Sequence, residues 1–367
     1  MEFGLNESQE ILKESARKFF AGECPMAAVR RWMESDTAFD PSLWSKLAEQ
    51  GYTGIIFPEE YGGVGLGIVE FALLMEEAGR ALLPGPFFST VALGGTTLHA
   101  LGSTEQKKKY LEPICHGKAR ATLAFAENSA SWDAAELQMT ATNGRLSGEK
   151  LFVTDAAAAD WIIMVARNGV FLVDAKSDGL RISPMAGMDF TRRLYSIAFD
   201  GAAAEKLGET AALARALDVA TVGLAAELVG GMQRSLEITV QYAKTRKQFG
   251  KPIGSFQAVQ HHCADMYVET ESARSAVYYA AWALQEHAPD AAAAVSIAKI
   301  YASDAARTVG NRGIQVHGGM GFTWENDLHL YYRRAKASET FLGDATFHRE
   351  RLARLVIDAG AAAAQSA

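Results

Sequence analysis

Apolar positions in the first 120 residues recur at helical spacing. Leu12, Ala16, Phe19 and Phe20 fall on one face behind a possible start at Asn6-Glu7-Ser8, which predicts a helix over 6–34. A second helix is predicted near Ser42–Gln50, stopped by Gly51, followed by a long helix over roughly 68–82 and a helix pair over 86–114. From 119 to 205 the pattern shortens. Runs such as Thr122-Leu123-Ala124-Phe125, Leu151-Phe152-Val153 and Trp161-Ile162-Ile163-Met164-Val165 alternate with turn signals at Asn143-Gly144 and Asn168-Gly169. That spacing predicts a compact antiparallel β unit, either a barrel or a sandwich. Beyond 209 the chain is alanine-rich and helical again, with helices expected near 210–245, 255–286, 291–311, 324–338 and 344–360. No period of 20–50 residues marks a repeat. The expected α+β organisation is an N-terminal helical domain at 1–118, a middle β domain at 119–206 and a C-terminal four-helix bundle domain at 207–367.

Composition narrows the class. The chain has 367 residues, 49% hydrophobic and 22% charged, long enough for two or three packed units. It contains no apolar run of about 18 residues, so no membrane span is expected. The start, Met1-Glu2-Phe3-Gly4-Leu5-Asn6, lacks a basic segment followed by an apolar core, and the expected location is the cytoplasm. Cys24, Cys115 and Cys263 show no CxxC spacing, which fits a reducing compartment and argues against a zinc site; no metal is expected. A net charge of -7 without a basic stripe disfavours nucleic acid as a partner.

The most distinctive stretch is Arg246–Gln257. It joins a cation, side-chain amides, an aromatic ring and turn glycines, which suits a large anionic, aromatic ligand such as a dinucleotide. A basic helix end followed by a Gly-Pro turn is the plainer reading. The segment Phe57-Pro58-Glu59-Glu60-Tyr61-Gly62-Gly63 is glycine-rich, yet no phosphate-loop Lys-Ser/Thr follows it.

Taken in order, Phe57–Gly63, Arg246-Lys247-Gln248-Phe249-Gly250, Gln257 with Ala264-Asp265-Met266, and Gln315-Val316-His317-Gly318-Gly319-Met320-Gly321-Phe322 resemble the flavin-dependent acyl-CoA dehydrogenase family over nearly the whole chain. The resemblance implies FAD as cofactor, an oligomer, an acyl-CoA substrate and an electron-transferring flavoprotein as acceptor. It implies that Arg246, Gln248 and Phe249, with Gln257, reach a neighbouring subunit's FAD, Arg246 meeting the pyrophosphate by charge-assisted hydrogen bonds. Gln315, Gly318 and Gly319 allow backbone close to the adenosine half. Phe152 and Thr154 fall where the family places a ring and a hydroxyl beside the flavin. His317 reads as a packed histidine rather than an acid or base.

The chain also departs from the family. The loop whose hydroxyls hold the flavin reads Ala126-Glu127-Asn128-Ser129-Ala130-Ser131-Trp132-Asp133, with Ala126 and Trp132 in the hydroxyl positions and Ser129 and Ser131 as substitutes. Dehydrogenation needs a carboxylate to take the α-proton of the thioester. The family's two positions for that base hold Leu342 and Ala220, so the catalytic base is unassigned. Glu227 lies seven residues past Ala220 on the same helical face, about 10 Å along the axis, and is either a substitute base or a core Glu paired with a cation. Asp218 matches a substrate-binding position, but Thr221 replaces the Arg that accompanies it, with Arg215 as a stand-in. Asp344 reads as a helix N-cap and Glu339 as a solvated charge. Small residues at Ala220, Gly223 and Gly230 mark either a bulky acyl pocket or close helix packing.

Three functions follow. The first is an acyl-CoA dehydrogenase-type oxidoreductase acting on a bulky or steroid-derived thioester, as a homotetramer or as one subunit of a hetero-oligomer with a related chain. The second is a non-catalytic partner subunit, and the third a flavin monooxygenase or oxidase on the same fold.

Overall fold

The computed structural model describes residues 4–358. The first helix is capped reciprocally: Asn6 Oδ1 accepts from the Gln9 backbone N–H, and Gln9 Oε1 accepts from that of Asn6. The helix expected over 6–34 is two helices, α1 (Glu7–Glu23) and α2 (Met26–Trp32). Pro25 causes the break, since it lacks an N–H and drives Cys24 out of helical geometry, to φ -125°. Helix α3 (Pro41–Glu49) starts on the Asp40 cap, and the chain leaves it through Gly51 at φ +74°. Then come α4 (Ile68–Arg80), a wide π-type segment Phe88–Gly95 running into α5 (Thr96–Leu101), and α6 (Thr104–Gln106), with a second wide turn leading to α7 (Glu112–Cys115).

The β segment contains β1 (Ala121–Ala124), β2 (Ala141–Thr142), β3 (Arg145–Thr154), β4 (Trp161–Ala166), β5 (Gly169–Asp174), β6 (Leu180–Met185), β7 (Leu194–Ala203) and β8 (Glu205–Gly208). These form two open four-stranded sheets, ordered β1-β4-β5-β8 and β2-β3-β7-β6. Of the two shapes expected, the sandwich is correct and the closed barrel is not. The purely antiparallel expectation is also corrected, because β1 pairs with β4 in parallel. Short apolar runs cannot report strand direction; that depends on the long connection between the two strands. Alternate residues, among them Leu146, Val153, Ile162, Met164, Phe171, Ile197 and Phe199, fill the space between the sheets.

The C-terminal helices are α8 (Ala214–Thr245), α9 (Gln257–Gln285), α10 (Ala291–His317), α11 (Leu328–Thr340) and α12 (Ala345–Ala353), with the hairpin strands β9 (Lys247–Gln248) and β10 (Lys251–Pro252) between α8 and α9. Helix α10 runs six residues past its expected end at 311, into the Gln315–Phe322 motif.

In space the described residues gather into two compact units. The helical unit comprises residues up to Met26, Ala72–Leu82 and Thr221 onward; the second comprises Ala27–Phe71 and Leu83–Ala220 and holds both sheets. Within the helical unit, the Glu76 carboxylate is 2% exposed and accepts from Lys13, Arg274 and the Tyr278 hydroxyl. Burial opposes its ionisation, but Lys13, Arg274 and Tyr278 outweigh burial and hold it below the usual carboxylate range. A Cβ on Gly230 would lie 1.8 Å from the Glu76 carbonyl oxygen, and one on Gly79 would lie 2.0 Å from that of Glu227. Gly230 therefore marks close packing of α8 on α4, not room for an acyl group. Among the described residues no helix is long and apolar enough to cross a membrane.

Candidate functional site

In the sheet-bearing unit, strand β3 slips register against β7 between Lys150 and Val153. The slip puts Phe152 at φ +56° and turns its ring outward, 36% exposed, while Val153 and Thr154 stay buried. The Thr154 carbonyl accepts from the Thr122 hydroxyl at 2.6 Å. Its own hydroxyl oxygen is buried and has no partner among the described residues. A buried hydroxyl without a partner costs roughly 1–3 kcal/mol, so a missing acceptor beside Thr154 is the economical account.

The neighbouring loop satisfies itself. Glu127 accepts from Lys150 Nζ at 2.8 Å and from the backbone N–H groups of Gln138 and Met139. Lys150 is fully buried and also donates to the Phe125 carbonyl. The Trp132 ring stacks on Phe125, with centroids 5.1 Å apart and planes 20° from parallel. Ser129 and Ser131 accept from nearby backbone N–H groups and so shape the turn.

In the helical unit two exposed features share a corner. The β9–β10 hairpin carries Phe249 at its tip with φ +52°, 90% exposed and edge-on to Phe256. Arg246, Gln248 and Gln257 around it are exposed. The second feature is the end of α10, where Gly318 adopts φ +59°, ψ -140°, a conformation open only to glycine. A Cβ on Gly318 or Gly319 would meet nothing within 4 Å, so these glycines face open space beside exposed Gln315. His317 joins the two features. Its ring stacks on Tyr242 at 4.2 Å, four residues before Arg246, and its Nδ1–H donates to the Gly313 carbonyl at 2.8 Å. Burial lowers the His317 pKa, consistent with a packed neutral imidazole.

FAD fits these residues. The partnerless Thr154 hydroxyl and the open Gly318-Gly319 backbone are polar groups that the protein leaves for a ligand, and the exposed Phe249 ring is an aromatic surface of the same kind.

The two positions expected to hold the base are as apolar in the structure as in the sequence. Leu342 is 4% exposed at φ +59°, and Ala220 is fully buried. Glu227 is 3% exposed, and its Oε1 accepts from Arg334 Nη1 at 2.7 Å. Asp218 is buried near the start of α8, and Arg215 is exposed. Asp344 caps α12 by accepting from the Phe347 N–H. Glu339, expected as a solvated charge, is only 15% exposed at its side chain and binds Arg307 and Lys336. Lys336 sits three residues back on α11, where spacing could show it, but Arg307 comes from α10, which no spacing within α11 reveals.

Two residues with no motif of their own hold the Leu342 loop. Lys299 Nζ, fully buried on α10, donates to the Ser303 hydroxyl and to the carbonyls of Ser338 and Glu339 at the end of α11. His348 Nε2–H donates to the Leu342 carbonyl at 3.0 Å. Burial pushes the Lys299 pKa down to about 7 and that of His348 down to about 4. The one sequence signal was a lysine inside the apolar run Ala298-Lys299-Ile300.

Comparison with known proteins gives the same family. Residues 6–118 match the acyl-CoA dehydrogenase N-terminal domain, and residues 190–357 match the acyl-CoA dehydrogenase C-terminal domain. Acyl-CoA dehydrogenase IpdE2 of Mycolicibacterium smegmatis is 35% identical over 352 residues, covering 96% of this chain and 98% of the relative. Among solved structures, the Tcur3481-Tcur3483 steroid ACAD G363A variant superposes with a TM-score of 0.88 at 32% identity, over 97% of this chain and 99% of that one. The ChsE4-ChsE5 complex from Mycobacterium tuberculosis gives 0.88 at 28% identity, over 96% and 98%. With domain matches at both ends and a full-length relative, this chain belongs to the acyl-CoA dehydrogenase family, the FAD-dependent oxidoreductases that dehydrogenate acyl-CoA thioesters.

Proposed function

We propose that this chain works as one subunit of a mixed oligomer, in which a related chain supplies the carboxylate base for α,β-dehydrogenation of a bulky, steroid-type acyl-CoA. The observation that carries this reading is the pair Leu342 and Ala220, both buried and apolar where the family keeps its base. Glu227 does not fill the gap, because its carboxylate is engaged by Arg334. The solved structures named for a steroid enzyme and for a two-chain complex support the substrate class and the mixed assembly.

In this reading Arg246 neutralises a diphosphate of the partner's cofactor, and Gln248, Phe249 and Gln257 orient it. Gln315, Gly318 and Gly319 admit its adenosine half. Thr154 donates its hydroxyl hydrogen to the flavin ring, Phe152 covers that ring, and Asp218 contributes to substrate binding. Bound FAD supplies acceptance of the hydride that leaves the β-carbon. Electrons pass on to an electron-transferring flavoprotein, in the cytoplasm. The proposed domains are 1–118, 119–206 and 207–367.

The test is to express the chain alone and together with a related chain that carries the base, then add steroid-type acyl-CoA anaerobically. The flavin absorbance is expected to bleach only in the mixed oligomer. Full bleaching by the chain alone overturns the proposal.

A further inference from the structure

A cleft of about 410 Å³ opens in the helical unit, and none of the residues assigned to flavin line it. That volume lies within the roughly 300–1,000 Å³ usual for small-molecule sites. Its walls come from the end of α1, the end of α4, the middle of α8 and the start of α11.

The charges in the cleft do not balance. Arg17 holds Glu77 through Nε and Nη2, at 3.1 and 2.7 Å. Arg80 holds Glu237 through both terminal nitrogens, at 2.5 and 2.6 Å. Arg234 reaches Glu237 Oε2 at 3.3 Å, an oxygen already taken by Arg80, bonds to the neutral Tyr331 hydroxyl, and is 44% exposed. Three guanidiniums against two carboxylates leave one positive charge in a chain whose net charge is -7. Arginine presents its donors as a planar fork matched to a carboxylate. The rest of the cleft is apolar: Phe20, Ala21, Pro25, Met26 and Ala81 line it. Its floor is Tyr331, 4% exposed and pinned by its hydroxyl to the Arg80 carbonyl at 2.9 Å. Tyr331 also borders the small cavity, of about 20 Å³, that Glu227 and Arg334 line.

We propose that this cleft binds an organic monocarboxylate with a short apolar tail. The carboxylate meets Arg234, and the tail lies along Phe20, Pro25 and Met26. The ligand has to carry both parts, because the unneutralised charge selects an anion and the apolar wall selects a hydrocarbon.

Calorimetric titration of the full-length protein tests this with hexanoate, acetate, hexanol and inorganic phosphate as separate arms. Hexanoate is expected to saturate one site per chain, binding on the order of tenfold more tightly than each of the other three. Arg234→Gln is expected to weaken hexanoate by about tenfold or more, since it removes a charge-assisted contact. Ala21→Trp fills the rim from an exposed position, so the core is undisturbed, and it is expected to abolish binding. Absence of saturation overturns the proposal. Phosphate or hexanol binding as tightly as hexanoate does so too, as does hexanoate binding that survives both substitutions.

Discussion

Arg334 Nη1 lies 2.7 Å from Glu227 Oε1, with the two side chains 5% and 3% exposed, so α11 and α8 are joined by an ion pair almost out of reach of water. A pair this deep costs nearly as much desolvation as it returns in attraction, but loss of one partner strands the other. Glu227, the candidate substitute base, is thus held in an ion pair, the arrangement of a core Glu paired with a cation.

Glu227→Gln is expected to destabilise the fold by about 3–5 kcal/mol, because the buried Arg334 loses the negative charge it meets at 2.7 Å. Replacing both residues with apolar side chains of similar size is expected to restore most of that loss. Urea denaturation of the two variants beside the parent checks this. If Glu227→Gln keeps parental stability, the pair is not structural.

Leu342→Glu is expected to let the chain alone bleach its flavin with acyl-CoA. The loop is already held, by the Lys299 contacts to the end of α11 and by the His348 N–H on the Leu342 carbonyl. Anaerobic stopped-flow absorbance reads the gain, and a variant that retains flavin but never bleaches argues that more than the base has been lost.

Thr154→Val is expected to lower FAD content while leaving the apoprotein as stable as before, or about 1 kcal/mol more stable, because it removes a buried hydroxyl with no protein partner. The Thr122 hydrogen bond survives, since it goes to the backbone carbonyl. Flavin stoichiometry and apoprotein denaturation are the two readouts. A drop in apoprotein stability without flavin loss contradicts the assignment.

The pH dependence of stability should carry the signatures of Lys299 and His348. Both have folded pKa values below their ordinary ones: about 7 against 10.5 for Lys299 and about 4 against 6.5 for His348. In each window the unfolded chain binds more protons, so stability rises with pH. The His348 contribution is lost as pH falls from 6.5 towards 4, and the Lys299 contribution grows as pH rises from 7 towards 10.5. His348→Gln keeps a donor for the Leu342 carbonyl but does not titrate. It is expected to flatten the slope of stability between pH 6.5 and 4, while Lys299→Met flattens the alkaline slope. Chemical denaturation across that range measures both, and unchanged slopes reject the linkage.

The helix–β–helix order was legible because apolar spacing changes period twice, at about 119 and 209, and helices near 42–50, 68–82 and 255–286 follow from spacing with Gly51 or a hairpin at their ends. The long helix expected over 6–34 missed what Pro25 does to its neighbour. The parallel pairing of β1 with β4 was not legible, since strand direction depends on partners distant in sequence. The Arg246–Gln257 and Gln315–Phe322 motifs were visible as residue types. That they share a corner through the His317–Tyr242 stack was not.

By itself the sequence determined the family and the order of elements, and it placed apolar residues at Leu342 and Ala220, because each is written in residue identity at a spacing. Only the tertiary structure decided what the remaining charged groups do. It tied Glu227 to Arg334, enclosed Lys299 and His348 around the Leu342 loop, left the Thr154 hydroxyl without a protein partner, and set three arginines around one cleft. The physical reason is that the state of a polar side chain is set by its burial and its partners. The decisive partners, Arg334 for Glu227 and Glu339 for Lys299, lie 107 and 40 residues away in the chain and meet only when the helices pack.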